Sequence, residues 1–135
     1  MRKIDIFFYG LFMDEDLLRS KGVTSTNLRP ASLTGFQIRI GNRATLVPEQ
    51  HGQVFGLAAS LSHNELDRLY SEPSMQAYKP EAVLVHLSDG SVVPALCFNL
   101  PEPPSTAEWN DEYASKLRDL ARRLNFPEAY IASIQ

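Results

Sequence analysis

Ile4, Ile6 and Phe8 alternate with Lys3, Asp5 and Phe7, and the run becomes wholly apolar through Tyr9. That pattern predicts a strand over Met1–Tyr9, covered on both faces at its end. Gly10 breaks it. Asp14 to Ser20 predicts a short helical turn with acidic residues at its positive end. Lys21 to Pro30 is a polar connection. Ser32–Ile40, Ala44–Pro48 and Gln53–Ala59 read as three strands, broken by Gly41-Asn42 and by a turn at His51-Gly52.

Ser62 and Glu65 form a capping box, with Leu61 and Leu66 placed for a hydrophobic staple, so a helix is expected over Ser62–Tyr70. Glu72–Pro80 is a loop with two prolines. Asp89-Gly90 between Glu81–Leu87 and Ser91–Phe98 is the strongest hairpin signal in the chain. Leu100–Pro104 stops the sheet. Ser105 and Glu108 supply a second capping box, and Trp109, Tyr113, Leu117, Leu120 and Leu124 recur as one apolar helical stripe. Asn125 ends that helix, and Pro127 starts a last short one through Ile134. Strands mostly follow strands. The expected class is therefore α+β: a small mixed or antiparallel β-barrel with peripheral helices, in one domain spanning 1–135.

Composition narrows the function classes. The 135 residues are 44% hydrophobic and 21% charged, as in ordinary globular domains. The longest apolar run, Ile6–Met13, falls well short of the roughly 20 residues of a membrane span. Arg2 and Lys3 precede it, but Asp5 interrupts and Asp14–Asp16 follow, which predicts no cleaved leader. A net charge of −3 offers no footprint for nucleic acid. The single cysteine, Cys97, permits no internal disulfide and fits a reducing, cytoplasmic setting. It sits mid-strand between Leu96 and Phe98, where a buried, inert thiol is expected. His51, His63 and His86 fall in different elements, so no metal site is expected. No phosphate-loop pattern occurs, and no cofactor is expected.

Two segments carry candidate chemistry. In Phe7-Phe8-Tyr9-Gly10-Leu11-Phe12-Met13-Asp14 a buried strand runs into a glycine and a turn. Such a glycine allows unusual backbone angles and close approach of a ligand, and the amides after it can form an anion-binding concavity. In Leu66-Asp67-Arg68-Leu69-Tyr70-Ser71-Glu72-Pro73, followed by Tyr78, a carboxylate stands just past a capped helix, in a loop pinned by Pro73. Glu72 is there the candidate general base. Arg39 and Arg43 are secondary candidates for a substrate carboxylate.

Taken together, the two segments resemble the gamma-glutamylcyclotransferase-like family. The likeness rests on a strand ending in Tyr9-Gly10, on Leu66-Asp67 followed by Glu72 and Tyr78, and on the order of strands and hairpins. The stretch Arg122–Ile131 is similar to the family's bacterial members. The resemblance implies a pocket in which the loop Tyr9, Gly10, Leu11, Phe12, Met13, Asp14 holds a gamma-glutamyl group of a small substrate, with Glu72 as proton acceptor and Tyr78 lining the pocket. It implies cyclisation to 5-oxoproline with release of an amine, a reaction in which no external nucleophile is required.

This chain departs from the family pattern twice. The loop usually reads Tyr-Gly-Ser or Tyr-Gly-Thr; here Leu11 follows the glycine, which removes a hydroxyl and makes the pocket more apolar. The family glutamate usually stands three residues after the Asp; here that position is Tyr70, and Glu72 lies two residues later. Either the loop has shifted and Glu72 enters the cavity, or the base is lost and the fold serves as a binding module.

Overall fold

The apolar end of the first strand is buried from both sides. Ile6, Phe7 and Phe8 are each at most 2% exposed in the computed structural model, which describes residues 2–24 and 27–135. Among those residues five strands close into a barrel in the order β1-β3-β2-β4-β5. The strands are β1 (Lys3–Phe8), β2 (Arg29–Ile40), β3 (Ala44–Ser62), β4 (Lys79–Leu87) and β5 (Val92–Asn99). The helices are α1 (Glu15–Ser20), α2 (His63–Tyr70), α3 (Asp111–Arg123) and α4 (Glu128–Ser133). The expected class is the observed one. Neighbouring strands are antiparallel except β1 and β5, which run parallel and meet at Ile6 and Leu96.

The middle of the chain differs from its expected form. Ala44–Pro48 and Gln53–Ala59 are parts of one long strand, and no reversal occurs at His51-Gly52. Instead the pairing with β2 shifts there: Thr34 faces Gln53 and Phe36 faces Pro48, so Glu49–Gly52 stand opposite the single Gly35. Gly35 takes φ +86, open to glycine at no steric cost. A Cβ on Gly52 would lie 2.1 Å from the Phe36 carbonyl oxygen. The polar, glycine-bearing break is therefore a bulge that bends the hairpin around the barrel rather than a turn.

The helix ends follow from local chemistry. In the α2 box the Ser62 amide donates to Glu65 Oε1 at 2.9 Å and the Glu65 amide donates to Ser62 Oγ at 3.2 Å. Asp14 caps α1 by accepting the Asp16 amide at 2.9 Å. After α3, Asn125 adopts φ 61, and the Phe126 and Asn125 amides return to the Ala121 and Arg122 carbonyls, which closes the helix as a Schellman motif.

The second expected box forms only in part. Glu108 Oε2 accepts the Ser105 amide at 3.1 Å, but α3 starts later, with Asn110 Oδ1 accepting the Tyr113 amide at 3.0 Å. The reason is tertiary. Glu108 Oε1 also accepts the Asn42 amide at 3.1 Å, which draws the segment across the β2–β3 turn. Trp109 falls outside the helix and is 73% exposed, whereas Leu117 and Leu120 are buried as their spacing predicts. Among the described residues no helix is long and apolar enough to cross a membrane.

Candidate active site

One end of the barrel opens into a cavity of about 320 Å³. Segments distant in sequence meet there: the turn after β1, Lys21 at the end of α1, the β2–β3 turn, the loop after α2, Phe98 of β5 and Tyr113 of α3. The turn after β1 is a single 3-10 turn over Leu11–Met13, closed by the Met13 amide on the Gly10 carbonyl at 3.1 Å. The leading amides of such a turn have no partner within it and are free to donate to groups outside it.

Gly10 has an ordinary negative φ of −114, so the backbone angle does not require glycine. Crowding does. A Cβ at this position would lie 2.5 Å from the Tyr113 hydroxyl oxygen. The group brought close by the glycine is thus a phenol from α3. Burial pushes that phenol well above its ordinary pKa, with Tyr78 adding to the rise and the Leu11 amide opposing it. The Tyr113 hydroxyl is therefore a neutral donor at physiological pH.

Glu72 lines the same cavity, and its Oε1 lies 2.6 Å from Lys21 Nζ. The two side chains are 43% and 26% exposed, so the pair is wet on one side. Tyr78 donates to the Ala44 carbonyl at 2.5 Å, and Tyr9 donates to the Phe98 carbonyl at 2.8 Å. Burial raises the pKa of both phenols, and for Tyr78 the Arg43 charge works against the rise. Tyr70 stacks on Phe98 with ring centroids 3.9 Å apart and meets Phe12 edge-on at 5.6 Å. Burial likewise drives the Tyr70 phenol far up.

A carboxylate, a turn of backbone amides and a phenol thus share one cavity whose wall is otherwise largely aromatic. The sequence matches the family described as gamma-glutamyl cyclotransferase, AIG2-like, over residues 6–117. The chain belongs to that family.

Solved structures agree in fold. The uncharacterized human protein loc79017 superposes with a TM-score of 0.84 at 16% identity, covering 100% of this chain and 89% of that one. A structure described as gamma-glutamyl cyclotransferase gives 0.83 at 16% identity, over 99% and 89% of the two chains. YkqA from Bacillus subtilis gives 0.80 at 21% identity over 98% of this chain, which spans about half, 52%, of YkqA. Among curated proteins, none matches the sequence.

Within this family fold the sequence-derived candidates divide by position. Tyr9, Gly10, Leu11, Phe12, Arg43, Glu72 and Tyr78 line the cavity. Met13, Asp14 and Arg39 are not among its lining residues. Met13 closes the 3-10 turn and is buried at 2% exposure. Asp14 is committed to capping α1 and lies 3.7 Å from Arg123. Arg39 pairs with Thr45 inside the hairpin, while Arg43 sits in the turn at the open end.

Lys21, Asn42, Phe98 and Tyr113 also line the cavity, and no local motif in the sequence marks them. Tyr113 was legible as part of an apolar stripe, but a stripe does not say where its hydroxyl ends. Cys97 is buried beside Asn99, which donates to its sulfur at 3.4 Å, and burial lifts the thiol to about 11. Among the described residues no three His, Cys, Asp or Glu side chains gather as a metal site.

Proposed function

We propose that this protein cyclises a gamma-glutamyl amine or peptide to 5-oxoproline and releases the amine. The observation that carries the reading is the presence of the Glu72 carboxylate and the Gly10–Phe12 turn on one cavity wall system. The substrate's α-amine attacks its own gamma-carbonyl, the new carbon–nitrogen bond closes a five-membered ring, and the bond to the leaving nitrogen breaks. Folding the substrate so that amine and carbonyl meet supplies much of the catalysis, because well-oriented intramolecular attack removes on the order of 7–11 kcal/mol of barrier.

Glu72 takes a proton from the substrate ammonium and returns one to the leaving nitrogen, work worth about 10²–10⁴-fold. The incoming ammonium pairs with the second oxygen of that carboxylate, while Lys21 keeps its hold on Oε1. The Phe12 amide and the Tyr113 hydroxyl, itself held by the Leu11 amide, stabilise the oxyanion that develops on the gamma-carbonyl. Arg43, at the rim, receives the substrate's α-carboxylate.

A second reading is a small-molecule binding module that has lost catalysis. It draws on Tyr70, whose ring lines the cavity against Phe98 at the position where the family glutamate usually stands. The two readings separate on one experiment. The folded protein is incubated with a panel of gamma-glutamyl amides, and 5-oxoproline is assayed. Product formation, lowered on the order of 10²-fold or more by Glu72→Gln, supports the enzyme. Ligand binding with no product from any amide supports the module.

A further inference from the structure

The cavity wall is strongly uneven in chemistry. Phe8, Phe12, Tyr70 and Phe98 form one continuous aromatic panel, with successive centroids 5.9, 5.6 and 3.9 Å apart. All four line the cavity, and Met75 from the loop after α2 lines it too. These edge-on and stacked rings present an angled, apolar aromatic surface of the kind that accepts an apolar group.

Charge on the lining is sparse. Lys21, Glu72 and Arg43 are its charged residues, and Lys21 and Glu72 neutralise each other at 2.6 Å. Among the described residues Arg43 is the one charged lining residue outside an ion pair. A gamma-glutamyl group already brings one carboxylate, which Arg43 can satisfy. A leaving group with a carboxylate of its own, such as an amino acid or a peptide, would bring a second anion to a wall with no cation left for it. Burying that anion unpaired against aromatic rings is strongly disfavoured.

We propose that the leaving group accepted here is an apolar, uncharged arylalkyl amine held against the Phe12–Tyr70–Phe98 panel, with Tyr70 as a specificity-determining residue. This rests on the cyclotransferase reading. The balance is complete without a co-reactant. The α-nitrogen forms the lactam bond, and the bond from the gamma-carbonyl carbon to the amine nitrogen breaks. The protons given up by the substrate ammonium leave on the released arylalkylammonium.

The test compares three substrates with the same glutamyl part: gamma-glutamyl phenethylamide, gamma-glutamyl ethylamide and gamma-glutamyl-phenylalanine. The second lacks the ring and the third adds only a carboxylate. The phenethylamide should exceed both in kcat/KM by on the order of 10-fold or more. Tyr70→Leu should shrink the phenethyl-over-ethyl ratio. Equal or better turnover of gamma-glutamyl-phenylalanine or of the ethylamide overturns the proposal.

Binding of the corresponding glutarate half-amides is measured in parallel by calorimetry. These lack the α-amine and cannot close the ring. If no substrate yields 5-oxoproline, the cyclotransferase reading fails, and the half-amides still decide the aromatic subsite. Tighter binding of the phenethyl half-amide upholds it, and equal or no binding ends it.

Discussion

Lys21 Nζ lies 2.6 Å from Glu72 Oε1, and this ion pair ties the end of α1 to the loop after α2 across 51 positions of sequence. Both groups are partly exposed, so the pair contributes little to stability, about 0–1 kcal/mol. Its value is positional: it holds a loop carboxylate at the cavity. Lys21→Met should therefore change the melting temperature little while lowering kcat on gamma-glutamyl amides by roughly 10-fold or more. Combined with Glu72→Gln it should add almost nothing further, because both changes remove one interaction. Steady-state kinetics and thermal melts of the single and double variants check this, and full additivity of the two rate losses would refute it.

The contact between Gly10 and Tyr113 makes a second expectation. In Gly10→Ala the new methyl meets the Tyr113 hydroxyl oxygen at 2.5 Å, whereas the next ring atom stands at 3.9 Å. The single variant should lose on the order of 1–3 kcal/mol through overpacking. Tyr113→Phe removes the clashing oxygen, so Gly10→Ala with Tyr113→Phe should be more stable than Gly10→Ala alone. A double-mutant cycle by denaturant unfolding measures the coupling. Tyr113→Phe alone should keep the fold and lower kcat more than it raises KM, as expected for a donor that acts on the oxyanion.

Alkaline pH should be the weak side of this fold. All five tyrosines have phenol pKa values raised by burial, and Cys97 rises to about 11. In the unfolded chain a phenol ionises near pH 10 and a thiol near 8.5. The folded state therefore binds more protons than the unfolded state above those values. Stability is fully present below about pH 8.5 and falls as pH rises, first through Cys97 and then more steeply as the unfolded phenols ionise. Thermal melts from neutral to alkaline pH should show this slope. Phenolate absorbance should rise together with unfolding rather than before it.

Glu108 braces the site from behind, with one oxygen on the Asn42 amide and the other on the Ser105 amide, each at 3.1 Å. Asn42 and Arg43 face the cavity from that turn. Glu108→Ala should cost about 1 kcal/mol or more and raise KM for the gamma-glutamyl substrate with a smaller effect on kcat. Unchanged KM would mean that the β2–β3 turn holds itself.

Most of the architecture was readable from local patterns. The covered β1, the box at Ser62 and Glu65, the Asp89-Gly90 hairpin and the stop at Asn125 each depend on residues a few positions apart. Their hydrogen bonds close within one turn or one pair of strands. The structure departs from the local pattern at His51-Gly52 and at Ser105–Glu108. There a local signal was overruled by a distant partner: the Phe36 backbone in the first case and the Asn42 amide in the second.

The candidate site follows the same division. The turn at Gly10 and the loop at Glu72 stood out because glycine, proline and a carboxylate after a capped helix are local features. That Glu72 meets Lys21, that Tyr113 fills the space above Gly10, and that Arg43 rather than Arg39 borders the cavity depend on closing the barrel. Local chemistry specifies where elements start, stop and turn, because each such bond spans only a few residues. Which side chains share a cavity depends on strand order and helix packing, and no short-range pattern encodes a contact between residues 51 or 103 positions apart.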